Sequence, residues 1–229
     1  LTRAWKRGIA HQFHDDMPGT SCQRVYKRSW NDLFVSMNQF KNEMEGSLSA
    51  LVPLIDTSFC RGRAVVVFNS VELKRKSAVT LKLRNFTEKY VRVFDDKGIE
   101  VPAQINSQKN GFTEITFIAD MNGLSLKAYD VRESNMPCRA DTGLTISNDK
   151  LENEKYIVKL NANGDIESIF DKKINKELLK EPIVTGLFNY NGSEEWPAWE
   201  MNYDEANKAP DRIPQLASKK IIENGPARL

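Results

Sequence analysis

The sequence QFHDDMPGTS, residues 12–21, separates two apolar stripes that have helical spacing. In the first stripe, which runs into this segment, apolar side chains recur every four residues, which is the period of one face of an α-helix. They are Leu1, Trp5, Ile9 and Phe13. Pro18-Gly19 is expected to end this helical region, and Thr20 or Ser21 can cap a second helix by accepting hydrogen bonds from its free backbone N–H groups. The segment therefore predicts an αα-hairpin.

The second helix carries a wide apolar stripe that fades near Glu45-Gly46. Its members are Val25, Tyr26, Trp30, Leu33, Phe34, Met37, Phe40 and Met44. Two helices cannot cover this much apolar surface between them, so we expect the hairpin to be part of a three-helix bundle whose third helix lies outside this chain. The chain starts at Leu1 inside a helical pattern and stops on a strand-like IIENGPARL. We therefore expect a piece of a longer protein.

From about Leu54 the apolar period changes to two, which is typical of β-strands. Five strand-like segments follow, with turn residues roughly every ten positions, and they are residues 63–70, 77–85, 90–101, 112–120 and 124–133. In the second of these, Val79, Leu81 and Leu83 are expected to face a core. This pattern predicts an antiparallel β-sandwich.

A second β region follows a loop that contains Pro137 and Gly143. In this region Asn163-Gly164 lies between two short strand patterns and predicts a β-hairpin. The fold class is therefore α+β and mostly β. We expect three domains: a helical hairpin over 1–50, a small β-sandwich over 51–140, and the truncated start of a larger β-sandwich domain over 141–229.

The composition excludes few functions, but the balance of basic and acidic residues limits the kinds of partner that we expect. Lys and Arg total 33 and Asp and Glu total 31, so neither nucleic acid nor a membrane surface is an expected partner. No transmembrane run is visible. Three cysteines, Cys22, Cys60 and Cys138, are spaced too widely for a zinc ribbon. We expect them to be buried, inert thiols.

The candidate chemistry lies in the opening segment, which holds both histidines of the chain. His14 and Asp15 offer a nitrogen donor beside a carboxylate, as metal and sugar sites require. His11 lies three residues earlier and shares a helical face with His14, so the two could bind a metal together or be an accident of spacing. Asp15 and Asp16 are adjacent and point in different directions, which makes them a poor acid/base pair. Asp16 is expected to be a turn residue.

A second candidate lies in the aromatic, acidic stretch 194–203. Its indoles and carboxylates suit sugar stacking and hydroxyl binding, with Trp199 as the predicted contact. The alternative is a loop packed over the sandwich and anchored by its aromatic side chains.

The residues AWKRGIAHQFHDDMPGTSCQRVYKRSWND, 4–32, resemble the middle-domain signature of family 38 glycoside hydrolases, the retaining α-mannosidases. Four further segments agree with that family in order along the chain. They are VVVFNS at 65–70, LENEKYIVKLNANGDIESIFDKK at 151–173, WPAWEMNY at 196–203 and ENGPAR at 223–228. The resemblance therefore covers nearly the whole chain.

The resemblance implies roles for two residues. His14 aligns with the family's last zinc ligand, and Asp15 aligns with a carboxylate that hydrogen-bonds mannose hydroxyls beside the metal. The family's catalytic aspartates and its other zinc ligands belong to an N-terminal α/β barrel, so this chain is expected to hold no catalytic residue. Phe13 stands where some relatives have a second histidine, and His11 gains no support from the family.

The expected function is thus that of a fragment. It would contribute one zinc ligand and scaffold to a zinc-dependent retaining enzyme that removes terminal α-linked mannose from glycans, and it would be inactive without its barrel. The alternatives are a non-catalytic carbohydrate-binding sandwich and a purely structural module.

Overall fold

The computed structural model describes residues 1–140, 142–189, 195–196, 199–200 and 202–229. The chain divides into two compact units: Leu1–Leu54 with Gly186–Arg212, and Ile55–Thr185 with Ile213–Leu229. Antiparallel strands dominate the described residues and helices are few, which confirms the α+β, mostly β class. No helix in the described ranges has the length and apolarity that crossing a bilayer requires.

The first unit contains the helical hairpin. Helix α1 spans Thr2–Ala10 and helix α2 spans Gln23–Leu51, followed by a 3-10 turn at Val52–Leu54. A short helix α3, Tyr203–Ala206, belongs to the same unit. The predicted αα-hairpin is confirmed, but α1 ends at Ala10, before the predicted boundary, and residues 11–19 form successive turns.

The buried residues of α1 and α2 have small side chains. Ala4, Ser29 and Ser36 are buried, and such short side chains allow two helix backbones to approach closely. The ring of Trp5 packs edge-on against that of Phe40, with 5.1 Å between ring centroids. The buried residues of the two helices are therefore small, and the Trp5–Phe40 ring pair joins the helices.

The large apolar side chains of the hairpin mostly remain exposed. Those of α1 and the following turn are between 58% and 65% exposed: Leu1, Trp5, Ile9, Phe13 and Met17. On α2 the exposed large apolar residues are Val25, Trp30, Leu33, Phe34, Val35, Met37, Met44 and Leu51. Exposed apolar stripes of this length suit a bundle with a further helix, which stays a prediction.

The second unit is built around two facing antiparallel sheets. One has the strand order β1-β7-β3-β4 and the other β2-β6-β5. The strands are β1 (Arg63–Asn69), β2 (Arg75–Arg84), β3 (Tyr90–Phe94), β4 (Glu100–Val101), β5 (Ala103–Lys109), β6 (Phe112–Met121) and β7 (Ser125–Ser134). Their shared core includes Val93, Ile115, Phe117 and Tyr129, with Val79, Leu81 and Leu83 packed against it as predicted.

Strand β5 was not predicted from the sequence. Its register against β6 shifts between Ile105 and Ser107, which indicates a bulge. A bulge inserts an extra residue and breaks the alternation of apolar and polar positions. The pattern AQINSQK therefore lacks the period of two on which the other strands were recognised.

A third sheet has the strand order β12-β11-β10-β9-β8. Its strands are β8 (Thr145–Ile146), β9 (Lys150–Glu152), β10 (Tyr156–Leu160), β11 (Ile166–Asp171) and β12 (Lys176–Glu177). The predicted hairpin joins β10 to β11, and Gly164 adopts φ +84° in its turn, a conformation that glycine tolerates without strain. The Asn-Gly signal is thus confirmed.

A buried carboxylate on β7 fastens the start of the sandwich. Asp130 is fully buried and accepts hydrogen bonds from the backbone N–H groups of Arg61 (2.9 Å) and Gly62 (2.8 Å). The Arg132 Nε donates a third at 2.7 Å. Burial by itself would raise the pKa of Asp130, but these hydrogen bonds outweigh it and hold the pKa below its ordinary value.

Asp130→Asn is expected to lower the free energy of unfolding at pH 7 by about 2 kcal/mol, because the amide turns N–H groups toward existing donors. Chemical denaturation of the full chain measures the loss. Glu72→Gln makes the same carboxylate-to-amide change at an exposed position and should alter stability by less than about 0.5 kcal/mol.

The depressed pKa also sets the pH dependence of this contribution. A carboxylate with a lowered folded pKa contributes stability that is present above its unfolded pKa of about 3.9 and is lost as pH falls through the folded value. The stability difference between the native chain and Asp130→Asn should therefore shrink as the pH is lowered below about 3.9. A difference that grows in acid would contradict the ionised state of Asp130.

Candidate functional site

His14 and Asp15 lie next to each other at the surface of the turn between α1 and α2. The His14 Nε2 is 3.3 Å from the Asp15 Oδ2, and the His14 side chain is 68% exposed. The His14 ring also packs on Phe13, with 4.2 Å between ring centroids. The imidazole and the carboxylate are thus presented together to solvent, where an external group can reach both.

Hydrogen bonds to Asp15 fix the backbone beneath this pair. The Asp15 carbonyl oxygen accepts from the backbone N–H groups of Thr20 (3.2 Å) and Ser21 (3.1 Å). It accepts a third from the Tyr26 hydroxyl of α2 at 3.2 Å. The Tyr26 oxygen in turn accepts from the Ser21 N–H at 2.7 Å, so the turn and the helix hold each other.

Thr20 holds the Asp15 side chain as well. Its hydroxyl donates to the Asp15 Oδ1 at 3.1 Å, which leaves Oδ2 on the side of His14. The expectation that Thr20 or Ser21 caps α2 is wrong, because the N-cap is Cys22 and no side-chain cap bond forms there. The Thr20 hydroxyl bonds Asp15 instead.

His11 and Asp16 form a separate cluster on the inner side of the turn, which we call the His11 clamp. The His11 Nδ1 lies 2.7 Å from the Asp16 Oδ2 and the His11 Nε2 lies 3.3 Å from the Asp32 Oδ2. The Ser29 hydroxyl of α2 also donates to the Asp16 Oδ2, at 3.0 Å. The clamp therefore ties the turn to α2 through side chains.

The clamp shifts the pKa values of His11 and Asp16. Hydrogen bonding to Asp16 raises the pKa of His11, and Asp32 adds to this while partial burial opposes it. Hydrogen bonding to His11 lowers the pKa of Asp16. Asp16 is thus more than the turn residue that was expected, since only 14% of its side chain is exposed.

The two histidines do not act as a pair. Both ring nitrogens of His11 face carboxylates, whereas His14 points to solvent beside Asp15. No group of three or more His, Cys, Asp or Glu residues that could hold a metal is found in the described parts of the chain. A metal site made from His11 and His14 is therefore not what this turn offers.

His14 and Asp15 nevertheless suit zinc by donor type. Zinc takes imidazole nitrogen and carboxylate oxygen, and its catalytic sites use three protein ligands. The exposed His14 Nε2 can supply one such ligand, and its near neighbour Asp15 Oδ2 lies within reach of a group bound there. Further ligands would have to come from outside the described residues.

The aromatic stretch presents its described side chains to solvent. Trp196 and Trp199 are 68% and 66% exposed, and Tyr203 is also exposed. The Trp199 N–H donates to the Trp196 carbonyl oxygen at 2.8 Å. These three rings therefore do not anchor the loop by burial, and the rest of the predicted segment at 194, 197–198 and 201 lies outside the described residues.

The cysteines carry no shared site. All three are free thiols, with Cys22 exposed and Cys60 and Cys138 partly buried. Burial raises the pKa of the Cys60 and Cys138 thiols, which keeps them protonated at neutral pH. The expectation of three buried thiols is wrong for Cys22.

Comparison with known proteins relates this chain to glycosyl hydrolases and α-mannosidases. Residues 151–229 match the family model described as "Glycosyl hydrolases family 38 C-terminal domain". Over the whole chain, 24% of residues are identical to "Alpha-mannosidase G" of Dictyostelium discoideum, across 23% of that protein. The resemblance to glycoside hydrolase family 38 is thereby confirmed.

Two solved structures, one of an α-mannosidase and one of a family 38 glycosyl hydrolase, share the fold. An α-mannosidase from Enterococcus faecalis V583 superposes with a TM-score of 0.55 at 18% identity, covering 76% of this chain and 24% of that one. A family 38 glycosyl hydrolase from Enterococcus faecalis gives a TM-score of 0.54 at 17% identity, covering 76% and 25%. The chain thus spans about a quarter of the length of these relatives.

Tyr26→Phe should loosen the Asp15 turn, because the change removes one donor to the Asp15 carbonyl and one acceptor for the Ser21 N–H. A neutral hydrogen bond contributes about 1 kcal/mol, so amide hydrogen exchange at Thr20 and Ser21 should accelerate about fivefold. Tyr203→Phe, which alters an exposed phenol, is the matched control. Unchanged exchange in Tyr26→Phe would show that the turn is held by other contacts.

Proposed function

We propose that this chain is the part of a zinc-dependent, retaining α-mannosidase that supplies one zinc ligand, His14, and one sugar-binding carboxylate, Asp15. The observation that carries the proposal is the exposed pair itself, with the His14 Nε2 3.3 Å from the Asp15 Oδ2 on a turn braced by α2. The relationship to family 38 and to α-mannosidases supports it.

Each residue of the pair has a distinct task. The exposed His14 Nε2 can donate its lone pair to a metal that replaces its contact with the Asp15 Oδ2. Zinc bound there would act as a Lewis acid toward vicinal sugar hydroxyls and developing charge. The Asp15 carboxylate accepts hydrogen bonds from mannose hydroxyls, and the Thr20 hydroxyl fixes its Oδ1 so that Oδ2 stays beside His14.

The bond-breaking carboxylates would come from elsewhere in the complete polypeptide. A retaining glycosidase needs two carboxyl groups about 5 Å apart on either side of the glycosidic bond. Asp15 and Asp16 do not meet this need, because Asp15 faces solvent while the Asp16 Oδ2 is engaged by His11 and Ser29. The fragment therefore contributes to binding and geometry, and an N-terminal barrel would contribute the nucleophile and the acid/base.

The test uses the complete polypeptide with an aryl α-mannoside as substrate. His14→Ala should lower zinc content and affinity sharply, because a ligand is lost, and activity should fall with it. Asp15→Asn should retain zinc and reduce kcat/KM about 100-fold, since a charged hydrogen-bond acceptor is lost in the transition state. Asp204→Asn, at an exposed position of the same unit, is the control and should leave both unchanged.

The isolated 229 residues should show no hydrolysis of the same substrate. Turnover by the fragment, or normal zinc content in His14→Ala, would contradict the assignment. Loss of activity in the Asp204→Asn control would reveal a general effect of substitution in this unit and remove the support from Asp15→Asn.

A second function, carbohydrate binding without catalysis, is favoured by one observation. Trp196 and Trp199 are each about two-thirds exposed, which suits stacking on a sugar ring. Glu200 follows Trp199 directly in the sequence and adds a carboxylate. If this function holds, the isolated chain binds α-mannosides in calorimetry and Trp199→Ala abolishes binding. Trp30→Ala, an exposed indole on α2, should leave that binding intact.

A further inference from the structure

We infer that His11 is a positioning residue for the His14–Asp15 pair and acts through Asp16. The inference deepens the proposed function and rests on it for the reaction, but its structural part concerns the turn alone. His11 does not touch the exposed pair. It fixes the peptide that carries the pair.

His11 connects the turn to α2. One ring nitrogen faces Asp16 on the turn and the other faces Asp32 on α2, at 2.7 and 3.3 Å. Arg7 of α1 lies on the other oxygen of that carboxylate, with its Nε 3.8 Å from the Asp32 Oδ1. The His11 imidazole therefore links the turn to the Asp32 carboxylate of α2, which Arg7 of α1 also contacts.

The position of the Asp16 carboxylate depends on His11. The Asp16 Oδ1 is buried and has no hydrogen-bond partner among the described residues. Both hydrogen bonds of the Asp16 carboxylate are made by its Oδ2, with the His11 Nδ1 at 2.7 Å and the Ser29 hydroxyl at 3.0 Å. Removing the imidazole leaves a single bond from a serine hydroxyl to hold a largely buried carboxylate, so the carboxylate is expected to move.

The peptide group between Asp15 and Asp16 links the clamp to the exposed pair. Asp16 follows Asp15 directly, and the planar peptide group between them contains the Asp15 carbonyl that Thr20, Ser21 and Tyr26 hold. A rotation of this peptide that lets the Asp16 side chain leave the clamp also displaces the Asp15 carbonyl. The clamp and the three donors therefore constrain one rigid group from its two ends.

A purely structural role for His11 would stabilise the hairpin as a whole, whereas a positioning role acts locally. The two predict different results once the variant is kept below its unfolding temperature. A structural role changes the melting temperature and leaves the folded site as it was. A positioning role changes the turn and the affinity for zinc in the folded state.

The experiment compares His11→Gln with Gln12→Ala in the complete polypeptide. A glutamine side chain can bond Asp16 or Asp32 but cannot bridge both. We expect zinc affinity, measured by chelator competition on folded protein, to weaken about tenfold in His11→Gln, as for other groups that orient a ligand. Amide exchange at Thr20 and Ser21 should accelerate about tenfold, while exchange in the centre of α2 stays unchanged. Gln12→Ala should match the native protein in both.

Three outcomes separate the inference from the proposed function. Native zinc affinity and native exchange in folded His11→Gln would overturn the inference. Native zinc affinity in His14→Ala together with faster Thr20 and Ser21 exchange in His11→Gln would overturn the proposed function and keep the clamp. If His11→Gln fails to fold, Asp16→Asn weakens the bond to the His11 Nδ1 with little change of shape, and unchanged exchange at Thr20 and Ser21 in that variant overturns the inference.

Discussion

The backbone carbonyl of Asp15 is the point on which the geometry of the candidate site depends. It accepts hydrogen bonds from two successive N–H groups of the turn, Thr20 and Ser21, and from the hydroxyl of Tyr26 on α2. Because one donor belongs to the helix, the turn cannot reorient without breaking its attachment to α2. The exposed imidazole of His14 and the partly buried carboxylate of Asp15 are therefore carried on a fixed backbone.

The scaffolds around this point are simple in physical terms. Ala4, Ser29 and Ser36 let the two helices approach closely, and this proximity brings Ser29 and Asp32 within reach of the turn. The β-sandwich has its own buried core and a buried carboxylate, Asp130, which anchors the chain as it enters β1. The exposed apolar stripes of the hairpin suit packing against a further helix, which stays a prediction.

Sequence reasoning succeeded where one local pattern decides the structure. Alternation at Val79, Leu81 and Leu83 indicated β2, and Asn163-Gly164 indicated the β10–β11 hairpin. The bulge after Ile105 hid β5 because it removes the alternation. The clamp was also missed, since His11 meets Asp16 and Asp32 only after the turn folds back onto α2, and no spacing rule links positions five and twenty-one residues apart. His14 and Asp15 were singled out from the motif, while Thr20 and Tyr26 became visible only with the structure.

The most direct measurement is a crystal structure of the complete polypeptide with zinc, with anomalous scattering recorded at the zinc edge. The account predicts a zinc peak about 2.1 Å from the Nε2 of His14, with the Asp15 carboxylate beside it. It also predicts that the remaining ligands lie outside the 229 residues. A zinc ion held without His14, or no zinc peak in an active enzyme, would contradict the account.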